Sequence, residues 1–289
     1  MKKKLSSIAG VTLIEILIGI LISVVMMAAM YTSYSVVNST YSQVSDRAKI
    51  SSAGRDVVGM MLREIRNAGY KYFNDNIPTT NELSPIIITK SSNFTTSCDK
   101  LEIVYGDVDY NQNRNPKYEY ERYKITYECK ASTIPDKSAT PSTGNKYPPI
   151  KAFALYKSQV AWDKNSKKWK NPKTDNNNKT YDEEIVLDYV SDLVFNAVDD
   201  QGLLINPPPT PTNANKDKLY NIKIVDIALT VRSSKEFFRS SRLRELFAMT
   251  DKNRNQKNTD KYLRDTIVVS AHARNLGLQW EIITNKVLL

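Results

Sequence analysis

From Val11 to Tyr31 nearly every position is apolar or small, and Glu15 is the one charge before Asp46. A run of about 20 such residues, rising 1.5 Å each, crosses the roughly 30 Å hydrocarbon core of a bilayer. Past that run the apolar pattern changes without stopping. Val37, Tyr41, Val44 and Ala48, then Val57 or Val58, Met61, Leu62, Ile65 and Ala68, recur at helical spacings. This is the stripe of an amphipathic helix. Asp46, Arg47, Lys49, Arg55, Asp56, Arg63, Glu64 and Arg66 fall largely off it. No proline intervenes before Pro78, and Gly69 stands where a C-cap would, with Arg63 and Arg66 near the negative end of the helix dipole. The pattern predicts one continuous helix over 11–68, apolar all round in its first half and amphipathic in its second.

Beyond Tyr70 the period shortens to two. Segments 85–90, 100–106, 119–128, 153–161, 184–197, 221–232 and 264–274 read as strands, most alternating apolar with polar residues as a sheet with one covered face does. The amphipathic half of the helix is the expected cover. The fold class that follows is α+β: a long N-terminal α-helix packed on an antiparallel β-sheet. PPPTPT (207–212) is a stiff extended connector. Residues 131–149 and 163–182 read as exposed loops, and KEFFRSSRLRELFAM (235–249) as a short helix in a crossing loop.

Composition adds two constraints. With 41% hydrophobic and 25% charged residues in a chain of 289, the protein is globular rather than disordered. The net charge of +10 includes Lys2, Lys3 and Lys4, which precede the apolar run. The positive-inside rule then places the N-terminus in the cytoplasm and everything after Tyr31 outside. The run is too long for a cleaved secretory h-region, and Ala28 and Ala29 form no A-x-A site.

The segment AGVTLIEILIGI (9–20) is specific. Gly10 followed by Val-Thr-Leu-Ile-Glu and an apolar run resembles the class III signal of type IV pilins and type II secretion pseudopilins. The resemblance implies that a prepilin peptidase cuts between Gly10 and Val11 and methylates the new N-terminus. Val11 departs from the phenylalanine usual in that family. DRAKISSAGRDVVGMMLREIRNAGY (46–70) is similar to the end of the first helix in PilW-type minor pilins, through Leu62, Glu64, Ile65, Arg66, Ala68, Gly69 and Tyr70. VSDLVFNAVDDQG (190–202) and VVSAHARN (268–275) resemble later strands of that family. The implied organisation is a leader (1–10), a transmembrane and assembly half of the helix (11–34), its amphipathic half (35–69) and an extracytoplasmic β-rich domain (70–289). The implied role is that of a non-enzymatic minor pilin in a complex that primes pilus assembly and sits at the fibre tip. Its partners would be the prepilin peptidase, other minor pilins and the major pilin. It would sit in the inner membrane before assembly and in the pilus afterwards. A pseudopilin of the J type and an unprocessed, single-pass anchored binding protein are the alternatives.

Glu15 needs a chemical reason, because a carboxylate near a bilayer interior costs roughly 2.5–3.5 kcal/mol. Cleavage after Gly10 would supply one in the α-amino group of Val11, on the same chain or a neighbour. The resemblance favours the neighbour, with the pair setting axial register. Elsewhere, Cys98 and Cys129 are the only cysteines. A hairpin pairing 101 with 126 and 103 with 124 also puts 98 opposite 129, and an exported domain favours a disulfide between them. GDVDYNQNRNP (106–116) places Asp107, Asp109, Asn111 and Asn113 at every second position, the opening of a calcium loop, but lacks its Gly and terminal Glu. Asp251, Asn253, Asn255 and Asp260 are a weaker echo. The lone His272 falls in a strand-like run and reads as a packed or edge residue. Arg232, Lys235, Arg239, Arg242 and Arg244 read as a solvated helix face rather than a nucleic-acid contact. No phosphate loop, nucleophile elbow or zinc spacing is present.

Overall fold

A computed structural model describes residues 10–70, 84–91, 98–110, 112–113, 115–137, 139–141, 146–175, 179–238, 240–246 and 256–276. The chain divides into two units, residues 1–48 and 49–289. Helix α1 runs Leu13–Asn67 without interruption. Its residues are exposed as far as Ser42, and the helix contains a stretch long and apolar enough to cross a membrane. Burial begins only at Ile50. The stripe therefore divides: Val37, Tyr41 and Val44 lie exposed on the surface of this chain, while Val57, Val58, Met61, Ile65 and Ala68 are core.

In the second unit the strands are β1 (Ile86–Thr89), β2 (Lys100–Tyr110), β3 (Tyr118–Ala131), β4 (Phe153–Asp163), β5 (Lys168–Trp169), β6 (Tyr181–Val198) and β7 (Leu204–Ile205). After the short helix α2 (Lys216–Tyr220) follow β8 (Ile224–Glu236), β9 (Arg242–Leu246), β10 (Gln256–Asp260) and β11 (Tyr262–His272). The main sheet has the order β1-β2-β3-β4-β6-β8-β11 with antiparallel pairing, and β5 and β7 hang on β4 and β6. The fold is α+β. Met61 and Ile65 of α1 pack with Ile103, Ile125, Tyr127, Leu155, Phe195 and Leu229 in one core. Gly54 permits close approach: a Cβ there would lie 2.6 Å from Ile267 Cδ1 on β11.

Each strand expected from alternation is present, with ends displaced by a few residues. Three expectations fail. The described residues of segment 235–249 are not helical: β8 continues to Glu236, and Arg242–Leu246 pairs with Gln256–Asp260 as a two-stranded sheet. Cross-strand pairing overrides local propensity there. The β2–β3 register is also one residue from that expected, with Leu101 opposite Tyr127 and Ile103 opposite Ile125. The expected register would have set these core residues against Thr126 and Lys124, and a one-residue slip exchanges the faces of a strand. The loop expectation for 163–182 also misses β5, which packs Trp169 edge-on to Trp162 with ring centroids 5.0 Å apart.

The disulfide between Cys98 and Cys129 is present, with Cα atoms 5.8 Å apart. It forms although the residues are not register partners. Cys129 pairs with Leu155 on β4, and Cys98 lies before β2 in a parallel bridge to Leu193 of β6. Its sequence separation is 31. Replacing both cysteines by serine is expected to lower stability by about 3–4 kcal/mol through lost loop constraint, read from denaturant midpoints.

Two glycines of α1 are expected to respond in opposite directions. Gly59 is helical with nothing within 4 Å of an added Cβ, so Gly59→Ala is expected to stabilise by about 0.5–1 kcal/mol. Gly69 has φ 73° and a Cβ there would meet Leu276 Cδ2 at 2.8 Å. Gly69→Ala is expected to destabilise by at least about 1–2 kcal/mol. Melting temperatures of the two variants decide both.

Candidate functional site

The head of α1 is built by two residues. Thr12 precedes the helix, and its backbone N–H and hydroxyl donate to Glu15 Oε2 at 2.8 and 2.9 Å. In return Glu15 N–H donates to Thr12 Oγ1 at 3.4 Å. This reciprocal pair is a capping box, in which a Thr before the helix and a Glu three residues later satisfy each other's exposed donors. The carboxylate also sits at the positive end of the helix dipole. Its signal, Thr-x-x-Glu before an apolar run, is legible in residues 12–15 and is missed when Glu15 is read as a lone charge. Gly10 and Val11 are exposed and lie directly before this cap.

The other end of α1 explains the Leu62–Tyr70 pattern physically. Ile65 and Ala68 are fully buried. Glu64 accepts hydrogen bonds from the Tyr127 hydroxyl on β3 and pairs with Lys157 on β4. Burial, and then the Glu64 charge, push the Tyr127 hydroxyl far above the usual phenol range. Burial works against the Lys157 ammonium, but its hydrogen bonds with Glu64 and Tyr181 outweigh this and raise its pKa. Gly69 N–H then donates to Val104 O at 2.9 Å, and Gly106 N–H donates to Tyr70 O at 2.8 Å. The helix end is thereby stitched to β2, and Asn275 donates to Arg66 O at 2.9 Å.

A third construction lies where β4 parts from β6. Residues 181–190 of β6 pair with β4, but 193–196 meet the chain around Cys98 and Asp99 instead. Asp99 is fully buried. Its carboxylate accepts from Lys90 Nζ, Ser91 N–H and Phe195 N–H, each at 3.0 Å. Lys90 also donates to Phe195 O and to Asn196 Oδ1. Nothing in the alternation pattern marked Asp99. Its signal was a charged pair flanking a strand start, which is common on surfaces.

The remaining sequence-predicted residues are dispersed. Asp107 and Asp109 lie on β2, opposite Glu121 and Glu119. Asp107 binds Lys179 Nζ at 2.8 Å and accepts Val108 N–H. Asn113 lies in the hairpin turn, and Asn111 lies outside the described residues. Among the described residues no three His, Cys, Asp or Glu side chains converge as a metal site. Of the second loop, Asp251, Asn253 and Asn255 lie outside the described residues, while Asp260 forms a two-pronged pair with Arg264. His272 is exposed on β11 at the end of the sheet order. The basic segment is no solvated helix face: Arg232 is 4% exposed and lies 4.1 Å from the Tyr262 ring centroid. Arg239 lies outside the described residues.

No family model and no curated protein matches this chain. Among solved structures it is similar to a type IV-like pilin from Thermus thermophilus, at 10% identity, over 78% of this chain and 96% of that one, with a TM-score of 0.40.

Proposed function

We propose that this chain is a PilW-type minor pilin of a type IV pilus, a non-enzymatic subunit that helps prime assembly and joins a tip complex. The observation that carries the reading is α1 itself. One helix, Leu13–Asn67, is headed by the Thr12–Glu15 cap immediately behind Gly10, exposes an apolar surface, and from Ile50 becomes the spine of a folded domain. A secretory signal has no reason to continue into a core, and capping alone would be served by an uncharged glutamine without the cost of a carboxylate near the bilayer. By this reading the prepilin peptidase cuts between Gly10 and Val11, the apolar half resides in the inner membrane with its N-terminus cytoplasmic, and the domain is exported. The disulfide suits such a compartment. Assembly partners are other minor pilins and the major pilin.

Mass spectrometry of the mature N-terminus tests the reading. A methylated Val11 is the expected result, and retention of Met1 or Lys2 would sink it. Deletion scored separately for surface motility and for protein secretion distinguishes a pilus subunit from a J-type pseudopilin, with motility expected to be lost.

A further inference from the structure

Where β4 leaves β6, an amine, a carboxyl group and a carboxamide meet. Lys90 Nζ, one residue past β1, lies 3.0 Å from Asp99 Oδ2 and 2.8 Å from Asn196 Oδ1 on β6. Asp99 is fully buried, and Asn196 is 6% exposed. All three belong to the unit 49–289, so what they do does not depend on the assembly reading of the N-terminal segment.

The Lys90 ammonium has three donors, and they meet Asp99, Asn196 and the Phe195 carbonyl. These contacts hold an ion pair, and they are also the contacts of a reaction. Asn196 Cγ is an acyl carbon, Lys90 Nζ is the nucleophile that can attack it, and Asp99 can carry protons between the two nitrogens. Adding a C=O bond length to the 2.8 Å contact places Nζ within about 4 Å of Cγ. Well-oriented reactants this close reach effective molarities of about 10⁵–10⁸ M.

The geometry is also fixed from every side. Asp99 accepts Ser91 N–H and Phe195 N–H at 3.0 Å each, while its own N–H donates to Leu193 O at 2.8 Å. Asn196 sits in β6 opposite Asp226 of β8. The neighbouring Cys98 is tied to Cys129. Burial of Asp99 and Asn196 keeps water from competing for the carboxamide. The Lys90 side chain is 29% exposed, which gives a released ammonia a way out.

We infer that Lys90 and Asn196 become joined by an intramolecular isopeptide bond, formed by the folded chain with Asp99 as proton carrier. Asp99 takes a proton from the Lys90 ammonium at hydrogen-bond distance, as general-base transfer requires. The freed lone pair of Nζ then forms a bond to Asn196 Cγ. The Cγ–Nδ2 bond breaks, and its electron pair leaves with the nitrogen, which receives the proton from Asp99. A second Nζ proton passes to Asp99 as the amide forms, and departs with the ammonia as ammonium. Asp99 ends as it began, nothing is oxidised or reduced, and no co-reactant is consumed. Loss of ammonia to solvent draws the exchange forward. The bond ties the end of β1 to β6 across 106 residues, beside the Cys98–Cys129 disulfide, and unlike that disulfide it withstands reduction.

The intact mass of the full chain, reduced and denatured, tests this. Wild type is expected to fall short of its sequence mass by one ammonia, after allowance for processing at the N-terminus. After alkylation and trypsin, residues 72–100 and 180–216 should appear as one branched peptide linked through Lys90 and Asn196. Lys90→Arg keeps a cation beside Asp99 but cannot form the bond. Asn196→Ala removes the carboxamide, and Asp99→Asn removes the proton carrier. Each variant is expected to keep its full sequence mass and to give no branched peptide. The inference is overturned if wild type shows its full sequence mass, if the branched peptide is absent, or if any of the three variants carries the link. The first two outcomes are read on wild type alone, so they hold even where a variant fails to fold.

Discussion

Glu15→Gln is expected to leave the chain in the membrane with its helix intact, yet to reduce its content in sheared fibres by at least about tenfold, a difference of 1.4 kcal/mol or more. The capping box explains why this substitution separates two roles. Glutamine keeps a carbonyl oxygen to accept from Thr12 N–H and Oγ1, and the motif tolerates Glu or Gln at this position. What it removes is the charge. Thr12→Ala does the reverse: it deletes the hydroxyl, at about 0.5–2 kcal/mol for a lost cap, and leaves the carboxylate. If Glu15 sets register against the new amine of Val11, the glutamine variant fails to assemble and the alanine variant assembles. Equal incorporation of both would reduce Glu15 to a capping residue. In the single chain the carboxylate is satisfied by Thr12. The proposal therefore requires an exchange of partners on assembly, and such exchanges act as specificity devices because the charge gains its second partner only in the correct array.

Asp99→Ala should cost about 3–5 kcal/mol, the usual penalty for removing one partner of a buried ionic pair. The loss is not confined to the Lys90 contact. Ser91 N–H and Phe195 N–H would also lose their acceptor at the place where β4 leaves β6. Asp99→Asn retains one carbonyl oxygen but turns an amide donor into the same site, so a smaller loss is expected. Denaturant unfolding of the full-length protein, followed by tyrosine and tryptophan fluorescence, measures both. An alanine variant within about 1 kcal/mol of wild type would show that the clamp contributes little. Because Cys98 is adjacent, the Asp99→Ala effect should be repeated with the disulfide intact and reduced, since neighbouring contributions need not add.

The failures of sequence reading share a cause. The β2–β3 register was decidable in principle, since opposing Leu101 with Tyr127 and Ile103 with Ile125 keeps apolar residues on one face. The expected pairing of 101 with 126 and 103 with 124 instead sets Leu101 and Ile103 against Thr126 and Lys124, the polar face of β3. Segment 235–249 has mixed periodicity, and its pairing partner 256–260 is polar, so no apolar alternation marked the second sheet. Arg232 looked like one more surface cation, yet it occupies a buried strand position stacked on Tyr262. The stitching of the helix end was invisible for the same reason: Gly69 and Tyr70 bond to Val104 and Gly106, far along the chain on β2.

By itself, the sequence determined whatever depends on local period and local chemistry. A helix from Leu13 to Asn67 follows from apolar spacing without a proline, the strands from alternation, and the cap at Thr12 and Glu15 from a contact three residues apart. Only the tertiary structure decided where burial begins on that helix, which residues oppose one another, and where charge is placed inside. Val44 and Val58 belong to the same stripe, and what separates them is the presence of a sheet. Lys90 reaches Asn196 across 106 positions, and Tyr127 reaches Glu64 across 63. Contacts at such separations are set by how packed elements enclose space, and a one-dimensional pattern does not carry that information.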